Sequence, residues 1–64
     1  MLIKLTRHDG KLILVNTNAI TTVEPHPGFK QYTNIGTLFN TYLITVLESI
    51  EEIADKSIRI HEQN

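Results

Sequence analysis

The hydrophobic periodicity of this chain changes at Ser49, and the change divides the chain into a β part and a helical part. Residues 2–7 alternate, with Ile3 and Leu5 on one side and polar residues between them, which is typical of a half-buried strand. After Ser49 the apolar residues recur instead at three- and four-residue spacing. We therefore expect an α+β fold in which a small antiparallel β-meander is followed by one C-terminal helix.

The segment from Ser49 to Glu52 matches a capping box, in which a serine oxygen accepts from an early helical N–H and a glutamate reaches back to the serine N–H. It predicts a helix over about residues 50–61. Pairs at i, i+4 spacing, Glu52 with Lys56 and Asp55 with Arg59, are expected on the solvent side. The opposite face is expected to cover the sheet with a mostly apolar stripe of Ile50, Ile53, Ala54, Ser57, Ile58 and His61.

The β part contains about five short strands, which form an open sheet or a small barrel. Asp9-Gly10 predicts a type I′ turn after the first strand, and the unbroken apolar run in the second strand indicates burial on both faces. Asn40-Thr41 predicts a tight turn before the fifth strand, and Gly36 indicates a bulge or a close backbone approach. The strands are expected at residues 2–7, 11–16, 20–24, 34–39 and 42–48.

Chain length limits how such a fold is stabilised. With 64 residues the chain is expected to form a single domain, 1–64, whose burial is only just sufficient for independent folding. The sequence has no cysteine, which excludes disulfides and cysteine-type metal sites. Self-association into a homo-oligomer is therefore the expected stabiliser.

Charge and hydropathy narrow the classes of partner. Six Lys and Arg oppose seven Asp and Glu, so the net charge of −1 gives no basic field for nucleic acid. No apolar run approaches the roughly 20 residues that span a bilayer, and no export signal is recognisable at the N-terminus. A cytoplasmic location is the expectation.

No catalytic or metal-binding constellation is recognisable, so we expect no enzymatic activity, no cofactor and no metal. The three histidines occur in a turn, a proline-rich loop and the last helical turn, without the close spacing of metal ligands. Glu51 and Glu52 are explained by the start of the helix, and adjacent helical residues point about 100° apart. The glycines do not form a phosphate-binding loop.

The loop over residues 25–33 is the most promising contact surface. Phe29 and Tyr32 flank Lys30, an arrangement that can stack on a base, a ligand ring or a partner peptide. The simpler interpretation, which we favour, is that these aromatic residues fold back as lids on a small core. Arg7 and His8, at the end of the first strand, are a weaker candidate of the same kind.

The chain resembles the FlbD-type family of short proteins associated with flagella and swarming motility. The resemblance depends on residues 3–7 with Gly10 after them, on residues 16–24, and on the closing segment 46–53. Between residues 25 and 41 the chain departs from the family, which typically has an Asn-Gly or Thr-Gly turn there. The resemblance implies a small accessory or regulatory protein of bacteria, or of a bacteriophage branch, and no reaction.

Three hypotheses follow for function. The leading one is a non-enzymatic homo-oligomer that binds another protein through an exposed strand edge or through the 25–33 loop. The alternative is a pocket between subunits, lined by Phe29, Tyr32, Arg7 or His8, that binds a nucleotide-like or other anionic molecule. A phage-encoded inhibitor or adaptor of a host protein is a variant of the leading hypothesis. The third hypothesis, nucleic-acid binding, is disfavoured by the net charge.

Overall fold

The fold consists of five antiparallel strands followed by one helix, which confirms the expected α+β class. The computed structural model describes residues 1–38 and 40–62, with side chains up to residue 57. The strands are β1 (Leu2–Thr6), β2 (Leu12–Asn16), β3 (Ile20–Pro25), β4 (Thr33–Thr37) and β5 (Ile44–Val46), a 3-10 helix (Thr17–Ala19) lies between β2 and β3, and the helix is α1 (Ile50–Glu62).

The strands form two small open sheets that meet at one corner. β1 pairs with β2, and β4 lies between β3 and β5, with every pairing antiparallel. At the corner, Arg7 bridges to Val46. Two further hydrogen bonds join the sheets, from His8 N–H to Thr45 O at 3.1 Å and from Leu47 N–H to Thr6 O at 2.9 Å. The end of β1 therefore continues the three-stranded sheet.

The core is small and lies between the two sheets and the start of α1. Ile3 and Leu5 contribute the inward face of β1, as their alternation predicts, and Ile53 contributes the helix. Its seven buried hydrophobic residues, taken from the part of the chain that the structure describes, are Ile3, Leu5, Val15, Ile35, Ile44, Val46 and Ile53.

The turn after β1 is not the type I′ turn that Asp9-Gly10 predicts. Gly10 has φ of 92°, but no other described residue has a positive φ, and a type I′ turn needs two. Instead, Gly10 N–H donates to Arg7 O at 2.8 Å and Arg7 N–H donates to Lys11 O at 2.8 Å. This is a three-residue loop that ends in a left-handed glycine. The loop therefore contains His8 as well as Asp9 and Gly10, and β2 begins at Leu12.

The prediction that β2 is buried on both faces is wrong. Leu12 and Leu14 are 64% and 62% exposed, whereas Val15 is buried and Ile13 is half-buried. Burial therefore alternates along β2, and one face of the strand presents leucines to solvent. The reason is topological, because α1 packs against β3 and leaves the outer face of the β1–β2 hairpin uncovered.

The connection between β4 and β5 is longer than the predicted Asn40-Thr41 turn. Strand pairing ends at Ile35 with Ile44, so a broad connection replaces a two-residue one. Phe39, the expected last residue of the fourth strand, lies outside the described residues.

Gly36 lies opposite a bulge in a neighbouring strand, where two threonine hydroxyls come close. A Cβ at Gly36 would lie 2.5 Å from Thr22 Oγ1 and 3.2 Å from Thr21 Oγ1. The register of β3 shifts between Ile20 and Thr22, directly opposite this glycine. A β-bulge and a residue without a side chain therefore occur together.

Helix α1 begins with the predicted capping box. Ser49 N–H donates to Glu52 Oε1 at 3.0 Å, and Glu52 N–H donates to Ser49 Oγ at 3.1 Å. Because Glu52 serves the cap, Lys56 is drawn elsewhere, and its Nζ donates to Lys4 O at 2.7 Å. No helix in the described part of the chain is long and apolar enough to cross a membrane.

The apolar stripe of α1 is only partly buried. Ile53 is buried, Ile50 and Ser57 are half-buried, and Ala54 is exposed. Between this face and β3 there is a cavity of about 420 Å³. The predicted stripe also includes Ile58 and His61, and one predicted ion pair includes Arg59. The side chains of these three residues lie outside the described part of the chain.

Candidate interaction surfaces

An aromatic cluster forms at the end of the molecule where the β1–β2 turn meets the 25–33 loop. It consists of His8, His26, Phe29 and Tyr32. Tyr32 is central, with ring centroids 6.1 Å from His8, 6.2 Å from His26 and 5.8 Å from Phe29, and His26 lies 5.5 Å from Phe29. The tilted and edge-on ring angles are those favoured by aromatic quadrupoles. Tertiary structure therefore unites two segments that are far apart in sequence.

His26 organises the loop that carries Phe29. Its Nδ1 accepts hydrogen bonds from Gly28 N–H at 3.0 Å and from Phe29 N–H at 3.1 Å. Backbone bonds from His26 N–H to Tyr32 O and from Tyr32 N–H to Phe29 O, each 3.0 Å, close the loop. Because both donors are backbone N–H groups, Nδ1 is the acceptor of both hydrogen bonds. The loop is therefore ordered by its own hydrogen bonds.

The exposure of the cluster decides against the interpretation of Phe29 as a lid on the core. Phe29 is 56% exposed, and it packs against other rings of the cluster. Tyr32 and His26 are half-buried beneath it, whereas His8 and Lys30 are exposed. The ring of Phe29 is therefore exposed to solvent and packs on the half-buried rings of His26 and Tyr32. Sequence reasoning named Phe29 and Tyr32 but missed His26, whose only local signal is its place between two prolines.

Arg7, although adjacent to His8 in sequence, borders a different surface. It lines a cleft of about 470 Å³ beside β2, which we call the β2 cleft. The lining of this cleft includes none of the four residues of the aromatic cluster. The apolar lining of the β2 cleft includes Ile13, Val15, Ala19 and Ile44, and its polar lining includes Asn16, Thr37 and Asn40.

Two polar groups of the β2 cleft have no partner in the described residues. Thr37 Oγ1 is buried and makes no hydrogen bond. The Arg7 guanidinium, on a half-buried residue, has no ion pair or hydrogen bond to a described acidic side chain. Buried hydroxyls and half-buried cations are normally paired, because desolvation without a partner costs free energy. The cleft therefore has unused capacity to bind a polar group.

Glu48 joins the end of β1 to the start of the helix. Its Oε1 accepts from Thr6 N–H at 2.9 Å, and its Oε2 accepts from Thr6 Oγ1 at 3.0 Å. A carboxylate that receives two bonds from one residue fixes both the direction of β1 and the position of α1. Sequence reasoning did not identify this contact, because 42 residues separate the two partners.

The structure shows no metal centre among the residues it describes. No group of three or more His, Cys, Asp or Glu side chains converges there. Two of the histidines, which the sequence places apart, do meet on either side of Tyr32. In that position they act as aromatic packing partners.

A known protein family matches this chain over nearly its full length. The family described as FlbD, flagellar and swarming motility proteins, matches the chain over residues 2–63. The chain belongs to the FlbD family. In this FlbD-family protein, two of the segments that carry the resemblance are those joined by the Thr6–Glu48 contact. No curated protein and no solved structure matches the chain.

Proposed function

We propose that this FlbD-family protein is a non-enzymatic accessory protein of motility that binds another protein through the aromatic cluster. Family membership supports the motility setting. The exposed ring of Phe29 supports the mode of action, because large aromatic side chains dominate the energetics of protein interfaces. The observation that carries the proposal is that an apolar ring, 56% exposed, packs on an ordered base formed by the rings of His26 and Tyr32.

Order in the loop favours binding. An interface that must first order a loop loses affinity to conformational entropy. Here the two hydrogen bonds to His26 Nδ1 and the two backbone bonds that involve Tyr32 hold Phe29 before any partner arrives. The cluster therefore resembles a preformed anchor site.

Self-association is a second part of the proposal. The described core has only seven buried hydrophobic residues, and domains of this size commonly gain stability from a second subunit. Light scattering after size-exclusion chromatography tests it, with a dimer or larger assembly expected at low micromolar concentration. A stable monomer at that concentration would exclude self-association, and the proposal that the protein binds a partner would be unaffected.

The test of partner binding compares two aromatic substitutions. Phe29→Ala removes the exposed ring, whereas Tyr42→Ala removes a tyrosine that is 63% exposed and lies outside the cluster. We expect Phe29→Ala to abolish capture of a motility protein by affinity pull-down from cells of the source bacterium and to reduce swarming. Equal behaviour of the two variants would contradict a role for the cluster. Fractionation of the same cells tests the cytoplasmic location that we propose with it.

The geometry does not favour the alternative of an anion pocket shared by the aromatic residues and Arg7. Arg7 borders the β2 cleft, and the rings of the aromatic cluster lie on another part of the surface. Thermal-shift measurements with nucleotides provide the check, since a ligand that binds only the folded state raises Tm. We expect no shift.

A further inference from the structure

One edge of β2 has unpaired backbone groups. Hydrogen bonds from Arg7 N–H to Lys11 O and from Thr17 N–H to Met1 O mark the odd-numbered residues of β2 as those bonded to β1. In an antiparallel pair the even-numbered residues then point the other way. The N–H and C=O groups of Leu12 and Leu14 and the N–H of Asn16 therefore face outward, and they have no backbone partner among the described residues. The Asn16 C=O is the exception, because Asn16 is the N-cap of the 3-10 helix and its carbonyl accepts the first hydrogen bond of that helix.

The opposite outer edge of the fold, on β3, is protected in ways that the β2 edge is not. β3 has a register shift between Ile20 and Thr22, and it ends at Pro25, which lacks an N–H. Natural proteins use bulges, prolines and charges to prevent strand pairing at exposed edges. β2 reads Leu-Ile-Leu-Val-Asn, without a proline or a charge, and its register is continuous. The β2 edge is therefore open to pairing.

The β2 cleft lies along this open edge. Leu14, whose backbone groups are unpaired in the part of the chain that the structure describes, and Asn16, whose N–H faces outward, border the same cleft as Arg7 and Thr37. An added strand would direct alternate side chains toward the cleft and the others along exposed Leu12 and Leu14. The cleft offers an apolar wall, the Arg7 guanidinium, which has no ion pair to a described acidic side chain, and the unpartnered hydroxyl of Thr37. These features fit an apolar segment that carries one carboxylate.

We propose that the β2 edge binds an extended segment of a partner protein by strand addition, with a carboxylate side chain of that segment directed to Arg7. The proposal rests on the proposed function, in which the protein acts by binding another protein, and it adds a second surface and the chemistry of the segment. Backbone bonds to Leu12, Leu14 and Asn16 supply affinity, and the carboxylate supplies selectivity.

Charge complementarity favours a partner's segment over a second copy of this chain. β2 contains no Asp or Glu, so pairing of two β2 edges would bring no carboxylate to Arg7. It would also leave Thr37 Oγ1 without a partner. An extended segment with an acidic side chain would form hydrogen bonds with the outward backbone groups of β2 and would bring a carboxylate to Arg7.

The experiment uses the full chain and a panel of fluorescently labelled ten-residue peptides. Each peptide alternates valine and threonine and carries one glutamate, which is moved along the panel, and each has a twin with glutamine in its place. Fluorescence anisotropy measures binding, and amide NMR shifts locate it. We expect one register to bind about tenfold more tightly with glutamate than with glutamine. The largest amide shifts are expected at Leu12, Leu14 and Asn16.

Two pairs of variants separate the contribution of the Arg7 charge from that of the backbone hydrogen bonds. Arg7→Gln should abolish the preference for glutamate, whereas Lys11→Gln removes a neighbouring positive charge outside the cleft lining and should preserve it. Leu14→Pro removes an outward N–H without breaking the β1–β2 ladder and should weaken all peptides. Leu14→Thr keeps that N–H and is its control.

The outcomes are decisive in each direction. No binding by any peptide at millimolar concentration, equal affinities in every glutamate and glutamine pair, or amide shifts confined to the aromatic cluster would each overturn the proposal. Concentration-dependent protection of the Leu14 amide without peptide would assign the edge to a second copy instead. If Phe29→Ala abolishes partner capture while Arg7→Gln has no effect on capture or peptide binding, the proposed function survives and this inference fails.

Discussion

At the scale of single residues, the fold depends on a few positions where neighbouring segments leave little freedom. Gly36 faces the bulge of β3, and Glu48 receives both hydrogen bonds of Thr6. Asp9 shapes the first turn, since its Oδ1 accepts from Lys11 N–H at 3.0 Å. These contacts involve one or two atoms each, so conservative substitutions test them.

Gly36→Ala is expected to destabilise the protein by about 1–3 kcal/mol, because the new Cβ would meet Thr22 Oγ1 at 2.5 Å and a β-branched side chain has little freedom to move. Gly28→Ala is the matched control, since its Cβ would meet only the His26 ring at 3.5 Å. Urea denaturation followed by circular dichroism gives both values. Equal stability of the two variants would contradict the close approach at Gly36.

The Asp9 carboxyl should titrate below its ordinary value of 3.8, mainly because its charged form accepts the backbone N–H of Lys11. Desolvation is the second effect and raises the pKa, whereas the nearby charges of Lys11, His8 and Arg7 lower it further. Since the folded pKa lies below the unfolded one, the stabilisation is present above about pH 3.8 and is lost as pH falls through the folded value. NMR titration of the side-chain carboxyl measures it, with a peptide of residues 7–11 as the unfolded reference. If Asp9 had the same pKa in the folded protein and in the peptide, the hydrogen bond from Lys11 N–H would not be formed in solution.

At the scale of elements, the junction between β5 and α1 is the most tightly specified part of the chain. Glu48 binds β1, and the next residue begins the capping box. Glu48 therefore ties the start of α1 to β1, and Ser49, the next residue, accepts a hydrogen bond from one of the first N–H groups of the helix. The β1–β2 hairpin, in contrast, is held to the rest mainly by its corner and by Ile3, Leu5 and Val15 in the core.

Ser49→Ala should cost about 0.5–2 kcal/mol of stability, because it removes the acceptor of the Glu52 N–H. Ser57→Ala, within the same helix, removes a hydroxyl that only bonds the Ile53 carbonyl four residues earlier. Such back-bonding adds little to helix stability, so this control should be nearly neutral. Thermal unfolding compares them, and an equal loss of Tm in both would refute the cap.

At the scale of the whole molecule, stability and binding compete in the β2 cleft. The unpartnered buried hydroxyl of Thr37 weakens the free protein, and it lies beside Arg7 in the cleft as a group that an incoming segment would satisfy. The aromatic cluster lies on another part of the surface. The protein therefore presents two surfaces that single substitutions can separate.

Thr37→Val should leave the stability of the free protein unchanged or raise it by up to about 1 kcal/mol, because it replaces an unsatisfied hydroxyl with a methyl group of similar shape. The same change should weaken binding of the glutamate peptide. Thr45→Val is the contrast, since Thr45 Oγ1 donates to Asn34 Oδ1 at 2.8 Å and its loss should destabilise. Destabilisation by Thr37→Val comparable to that by Thr45→Val would show that the Thr37 hydroxyl is satisfied in solution.

Much of the architecture could be predicted from local signals, and the errors occur where local signals stop. The alternation of Ile3 and Leu5, the capping box at Ser49 and the glycine at position 36 each describe an environment a few residues wide, and each agrees with the structure. The Asp9-Gly10 turn type and the Asn40-Thr41 turn were wrong, because loop length depends on strand register across the sheet.

The sequence by itself determined the order of strands and helix, the start of the helix and the aromatic composition of the 25–33 loop, because these depend on interactions between near neighbours. Only the tertiary structure decided that His8 and His26 meet at Tyr32, that Glu48 holds Thr6, and that one edge of β2 stays open beside Arg7. The physical reason is burial: which face of β2 is covered depends on where α1 packs, and no pattern within β2 carries that information.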